Sequence, residues 1–461
     1  MQKGITVLTA PIFTRLLSTS EYGQYSVFNS WYEIISIIVS LRLAYGMYSQ
    51  GLVKFEDESA VFSSSLQGLT LTLCSAWTVL YLVFHQWFNT LLNLTTVQML
   101  SLLTMVWATA VFDFWASEKK VRYDYRTLVA VTLVVSIAKP TVGIVFVLHA
   151  DDKVTARVLG LALVELAGYG FGFIDQMKRG KVFFSKRFWK YALRFNLPLI
   201  PHYISMTVLS YSDRIMIGKL VGENEAGIYA LAHSLAKIMS LVNAALTATV
   251  TPWIYRKMKE GKTGDISKVG YASIVLVAAA NIMLIAFAPE AVAVFAPEEY
   301  YDAIYCIPPI AAGVFFVFLY DLFAQFEFYY EKPGYIMLAS VIGAVLNIIL
   351  NYVFINLCGY VAAAYTTLFC YFLFTVMHYV FMSKICRNYL SGIRPYNKKI
   401  IIGLSTAFLA LGFTYLASYR NIAVRYTLTG ILTLAAIINR KRIREKIKAF
   451  LSIAGHNGED I

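Results

Sequence analysis

The chain has 461 residues, 58% of them hydrophobic and 15% charged, with 40 Lys and Arg against 27 Asp and Glu for a net charge of +13. Soluble domains run about 45–50% apolar and about 25% charged, so this composition excludes an ordinary soluble globular chain. Apolar runs of about 20 residues recur along the whole length, each enough to cross a hydrocarbon core of ~30 Å, and no soluble domain of useful size fits between them.

In chain order the runs predict fourteen spans, over 4–17, 22–47, 62–84, 97–115, 127–148, 156–174, 195–212, 226–252, 269–288, 303–323, 335–355, 359–382, 400–417 and 422–438. The first contains Pro11 and is too short to cross alone. Matching Arg15 to Arg214 sets Met1 opposite Ile200, inside the seventh run. The first helix is therefore expected to lack a turn or two, with its true start upstream; the alternative is a helix that begins inside the membrane.

With both termini inside, most of the 40 basic residues fall on the cytoplasmic side, as the positive-inside rule requires. KRGKVFFSKRFWK (178–190), RKMKEGK (256–262) and RKRIREKIK (440–448) are then cytoplasmic, and 289–302, with four acids and no base, is external. Topology and attraction to anionic lipid account for the net charge, and nucleic acid is not expected as a partner.

The stretch Glu21–Ser40 returns at Glu225–Ala244, shifted by 204 positions, with Glu21/Glu225, Gly23/Gly227, Tyr25/Tyr229, Ser30/Ser234, Ile34/Ile238 and Ser36/Ser240 identical. Two halves share one helical plan, which is the mark of a secondary transporter with its site near the bilayer midplane. In the repeated Glu-x-Gly-x-Tyr, the glycine is expected to permit a tight turn, the acid to suit a helix N-terminus and the tyrosine to sit in the headgroup belt.

Within the second span Ser26, Asn29, Ser30, Glu33, Ser36 and Ser40 share one helical face, and His233, Ser234, Lys237 and Ser240 do so in the eighth. Glu33 and Lys237 are repeat equivalents, each ~16–18 Å from its outer end. A charge at that depth costs about 2.5–3.5 kcal/mol, so the stripes are expected to line a central cavity; the alternative is that they glue packed helices. Arg42, half a turn round from Glu33, is expected to snorkel to the cytoplasmic interface. Asp113 and Asp321 match under a 208-residue shift near the inner ends of their spans, where interfacial structure is expected. Lys139, followed by Pro140, and Glu165 are both mid-span, fit for a buried pair that is either structural or an ion relay.

The five cysteines are scattered, the six histidines have no metal spacing, and there is neither a Walker loop nor G-x-S-x-G. No catalytic residue, metal or cofactor is expected.

PIFTRLLSTSEYGQYSVF (11–28), YSDRIMIGKLVGENEAGIYALAHSL (211–235) and NIILNYVFINLCGYVAAAYTTL (347–368) resemble the Wzx-type polysaccharide-unit flippases of the multidrug/oligosaccharidyl-lipid/polysaccharide exporter superfamily. The resemblance covers nearly the whole chain. It implies an all-α polytopic membrane protein of about 14 helices, with two pseudo-symmetric six-helix bundles around a central cavity plus two C-terminal helices. The corresponding division is 1–174 for the first bundle, 175–194 for a basic linker, 195–382 for the second bundle, 383–399 for a basic loop, 400–438 for the extra helices and 439–461 for a basic tail.

The implied activity is to move an undecaprenyl-diphosphate-linked oligosaccharide, of O-antigen, capsule or exopolysaccharide type, across the bacterial cytoplasmic (inner) membrane. Its implied partners are membrane lipid, that lipid-linked glycan, the polysaccharide polymerase and other assembly proteins. On this reading Lys237 binds the diphosphate, and Arg214 and Arg15, at the outer mouth of the two lobes, either receive the diphosphate on release or anchor to lipid phosphate; Asn29, Ser30, Glu33, Ser36, His233, Ser234 and Ser240 line the cavity. An ion gradient acts through Glu33, or through Glu165 with Lys139. The rivals are a multidrug exporter of the same superfamily and a membrane polysaccharide polymerase or ligase. The external loops 85–96 and 289–302, with one histidine and no arginine, speak against the enzyme.

Overall fold

A computed structural model describes residues 2–390, 392–441, 444 and 445, so the end of the basic tail, within 439–461, lies outside the described residues. The described residues contain no strand. Fourteen long helices stand on the fourteen apolar runs: α1 (Gln2–Leu16), α2 (Thr19–Ser40), α3 (Ser59–Val83), α4 (Thr96–Val121), α5 (Tyr125–Leu148), α6 (Lys153–Gly180) and α7 (Ile200–Leu220), then α8 (Glu223–Lys259), α9 (Thr263–Ala286), α10 (Ile307–Tyr329), α11 (Pro333–Cys358), α12 (Ala362–Tyr389), α13 (Lys398–Ser418) and α14 (Ile422–Ile438). Among the described residues four shorter helices, Met47–Lys54, His85–Leu92, Lys186–Asn196 and Ala288–Phe295, lie between them.

Ten of the fourteen are long and apolar enough to cross a bilayer. The apolar parts of α1 and α14 are shorter. The remaining two, α2 and α7, are 22 and 21 residues long, so length suffices. Polar side chains, not length, set these two apart from the others.

Local chemistry fixes the helix starts. Ser18 and Glu21 form a capping box at the head of α2, Thr95 and Gln98 form another at α4, and Asp124 and Asp152 cap α5 and α6. The repeat acid Glu21 thus has the N-terminal role its position suggested.

The chain divides into two compact units, Met1–Gly227 and Ile228–Ile461. In the first, α6 packs against α3, α4 and α5, and α7 runs along α2. In the second, α12 packs against α10 and α11, and α9 joins α10 to α13. The C-terminal pair is latched at one end: Tyr419 donates to the Ile285 carbonyl at 2.6 Å, while Arg425 and Tyr426 both hold the Glu290 carboxylate.

Two expectations are corrected. The second run predicts a span to residue 47, but α2 stops at Ser40, because Leu41 and Arg42 both adopt left-handed backbone (φ 50° and 44°). Arg42 therefore has no helical phase relative to Glu33, and its guanidinium lies over the Tyr203 ring at 5.8 Å. The repeat-equivalent helix α8 continues unbroken for 37 residues. The break belongs to one repeat only.

The glycines of the repeated motif are not in turns either. Gly23 and Gly227 are the fifth residues of α2 and α8, and both lie in the first unit. A Cβ at Gly23 would stand 1.8 Å from the Glu223 carbonyl oxygen, and one at Gly227 would stand 2.1 Å from that of Thr19. Since 19 and 223 are themselves equivalents, the contact is self-complementary, like a two-fold interface. Ser20 and Gln24 add hydrogen bonds to Glu223 at 3.2 and 2.5 Å. Tyr229 is fully buried and Tyr25 half-buried.

Candidate functional site

Charged side chains inside apolar helices mark functional positions by default, because each must find a partner or water. In the first unit they gather around α2. Glu33, on its polar face, is half-buried and lies close to Tyr211 of α7. One turn on, Arg214 is 5% exposed, with its guanidinium 5.1 Å from the Tyr211 ring and one nitrogen donating to the Ser210 carbonyl at 3.2 Å.

Arg15, the repeat equivalent of Arg214, is exposed and donates to the Pro11 carbonyl at 2.9 Å. The two arginines were expected alike at an outer mouth. Their surroundings differ because α7 is covered by α2 while Arg15 is on the outside of α1.

On the other side of α2 a hydrogen-bonded chain enters the helix bundle. Tyr32 donates to Thr109 at 3.0 Å, Thr109 donates to Glu165 at 3.1 Å, and Glu165 pairs with Lys139 at 2.6 Å. The Lys139 ammonium is also 5.3 Å from the Tyr169 ring. Glu165 is nearly buried and Lys139 about a quarter exposed, so the pair sits in a low dielectric that strengthens its attraction. Adjacent helices α5 and α6 supply the two charges, and Pro140 interrupts the hydrogen-bond ladder beside the lysine.

The serines of the stripe bond their own helix: Ser30 to Ser26, Ser36 to Glu33, Ser40 to Ser36 and Ser234 to Ala230, at 2.6 to 2.8 Å. Their protons are used, and their lone pairs remain as acceptors. Asn29 and Ser36 are half-buried, but Ser30, expected on the cavity face, is fully buried, a packing position in this structure. In the second unit His233, Ser234 and Lys237 are half-buried and Ser240 is exposed.

Three features escaped sequence reading. Arg157 of α6 is buried, stacked between Phe13 at 3.6 Å and Tyr25 at 3.5 Å. Glu118 of α4 is tied to Gln176 and Arg179 of α6. Glu327 of α10 is tied to His378 of α12. Each joins residues 51 or more positions apart, which no helical periodicity signals; the motif tyrosine Tyr25 was the one visible clue. Among the described residues no group of His, Cys, Asp and Glu could hold a metal ion.

A family model described as "Polysaccharide biosynthesis protein" matches residues 1–258, more than half of the chain. The chain belongs to that family. The MatE model matches residues 198–353. Among curated proteins, "Lsg locus putative protein 1" of Haemophilus influenzae is 25% identical over 281 residues, covering 56% of this chain and 64% of that one. The chain thus matches less than two thirds of that relative's length. An uncharacterized membrane protein of the same organism is 22% identical over 294 residues, 60% of this chain and 67% of its own.

Two solved structures share the fold. Lipid II flippase MurJ, in an inward closed conformation, superposes with a TM-score of 0.67 at 14% identity, over 96% of this chain and 98% of its own. An inward-facing multidrug resistance MATE family transporter of the MOP superfamily gives 0.64 at 12% identity, over 85% and 95%. This chain shares its fold with both.

Proposed function

We propose that this protein is a flippase for an oligosaccharide linked to undecaprenyl diphosphate, acting in the bacterial cytoplasmic membrane with both termini inside. What supports the reading is membership of the polysaccharide biosynthesis family together with two cations on long helices, buried Arg214 in the first unit and half-buried Lys237 in the second. A diphosphate needs such charge in a medium of low dielectric; a site for organic cations would be dominated by acids, whereas the two stripes carry one acid, Glu33, and one base, Lys237. Lys237 holds the diphosphate in this scheme, and Arg214 and exposed Arg15 receive it on release.

Sugars are rich in hydroxyl donors, and the free lone pairs of Ser36 and Ser234, with Asn29, His233 and Ser240, are their acceptors. An ion gradient supplies the drive, through Glu33 or through the Glu165–Lys139 pair. The six-plus-six-plus-two division set out from the sequence belongs to this scheme, as do the polymerase and other assembly proteins as partners.

The test is deletion of the gene. Loss of surface polysaccharide with lipid-linked units on the cytoplasmic leaflet supports a flippase; single units accumulating on the periplasmic face would point to a polymerase and refute it. The MatE match over 198–353 favours a second reading, a multidrug exporter, which requires efflux of organic cations with polysaccharide unaffected.

A further inference from the structure

In each unit a buried carboxylate near the end of one long helix ties it to another, α4 to α6 and α10 to α12, and the two ties differ in kind. Glu118, three residues from the end of α4, accepts from Gln176 at 2.6 Å and from both terminal nitrogens of Arg179 at 2.5 and 2.9 Å, and pairs with Arg122 at 2.8 Å. Arginine keeps its charge at every accessible pH, so this tie is permanent.

Glu327, two residues from the end of α10, faces His378 of α12 instead, with Oε1 and Nδ1 2.7 Å apart and both side chains fully buried. The remaining oxygen, Oε2, and the remaining nitrogen, Nε2, have no hydrogen-bond partner. The walls are aromatic: Tyr320 stacks on the imidazole at 5.4 Å, and Phe374 and Phe381 stand edge-on at 4.5 and 6.2 Å. Tyr335 of α11 stacks on Phe381, Tyr379 and Tyr396 flank Phe323 of α10, and Lys332 and Lys384 lie over the Tyr389 and Tyr335 rings.

We propose that Glu327 and His378 form a proton-binding site in the second unit, which holds one proton when α10 and α12 are tied as they are here. With one proton the pair is neutral overall, whether as carboxylate and imidazolium or as acid and imidazole. Without it a carboxylate anion is left among aromatic rings with one hydrogen bond; with a second, an imidazolium is left. Both are costly in an apolar site. Packing of α10 on α12 is thereby linked to proton supply, whatever substrate the protein carries.

The experiment is thermal unfolding of the purified full-length protein in detergent, from about pH 6 to about pH 8. The wild type is expected to lose stability as pH rises, because the folded pair retains a proton that the unfolded chain releases, up to about tenfold in the folding equilibrium per pH unit for one proton. Glu327→Gln removes the acid but keeps shape, and is expected to remove the one-proton share of that slope that the pair contributes. His378→Arg, which copies the tie of the first unit, is expected to abolish it as well. Should His378→Arg fail to fold, Glu327→Gln alone decides. A Glu327→Gln protein that melts lower at every pH with the wild-type slope intact would overturn the proposal and leave a structural brace.

Discussion

Gly23 and Gly227, 204 positions apart and equivalent in the repeat, pack so closely that a side chain on either would collide with the backbone of the other's helix. The collision is with carbonyl oxygens at 1.8 and 2.1 Å, which no rotamer change can relieve. Gly23→Ala and Gly227→Ala are each expected to cost about 1–3 kcal/mol, the range for overpacked contacts. Thermal unfolding in detergent checks this, with Gly4→Ala, at an open position, as the neutral control.

Breaking the Lys139–Glu165 pair from one side leaves a buried charge alone. Glu165→Leu or Lys139→Met is expected to destabilise the protein by about 3–5 kcal/mol, less for the glutamate change because the Lys139 charge it leaves behind is partly exposed. The double variant is expected to recover most of the stability. If it also retains gradient-driven transport, the pair is a structural element and the drive must enter through Glu33.

Lys237→Ala is expected to abolish export of polysaccharide units at normal protein level, while Lys237→Arg keeps part of it, since charge is retained and geometry is changed. Glu33→Gln keeps shape and removes the titratable proton; folding is expected to survive and gradient coupling to weaken. Quantifying surface polysaccharide against membrane-inserted protein separates these outcomes from misfolding.

Topology is testable without substrate. Reporter fusions after Lys259 and after Arg444 are expected to read cytoplasmic, and one after Glu298 periplasmic. The Glu290–Arg425 latch agrees with this order, because it requires the start of α14 and the acidic loop to share one side. A periplasmic signal from the Arg444 fusion would contradict it.

The number and order of helices were legible because a bilayer demands about 20 apolar residues per crossing and writes that demand directly into composition. Glu33 and Lys139 were visible because a charge in an apolar run is anomalous wherever it falls. The end of α2 was not, since the left-handed residues Leu41 and Arg42 carry no glycine or proline to announce them. Nor were the Glu327–His378 pair and the Arg157 sandwich, which depend on which helix faces which. Gly23 stood out as a repeated residue, but its reason, a backbone-to-backbone contact with a partner 204 residues away, is a tertiary fact.

The central claim is tested most directly in proteoliposomes that hold the purified protein and a fluorescent undecaprenyl-diphosphate-linked oligosaccharide, with an imposed ion gradient and a membrane-impermeant lectin outside. Gradient-dependent movement of the glycan into or out of lectin reach, lost in Lys237→Ala, is the expected result. Glycan that stays on its starting leaflet in the presence of active, correctly inserted protein would contradict the account.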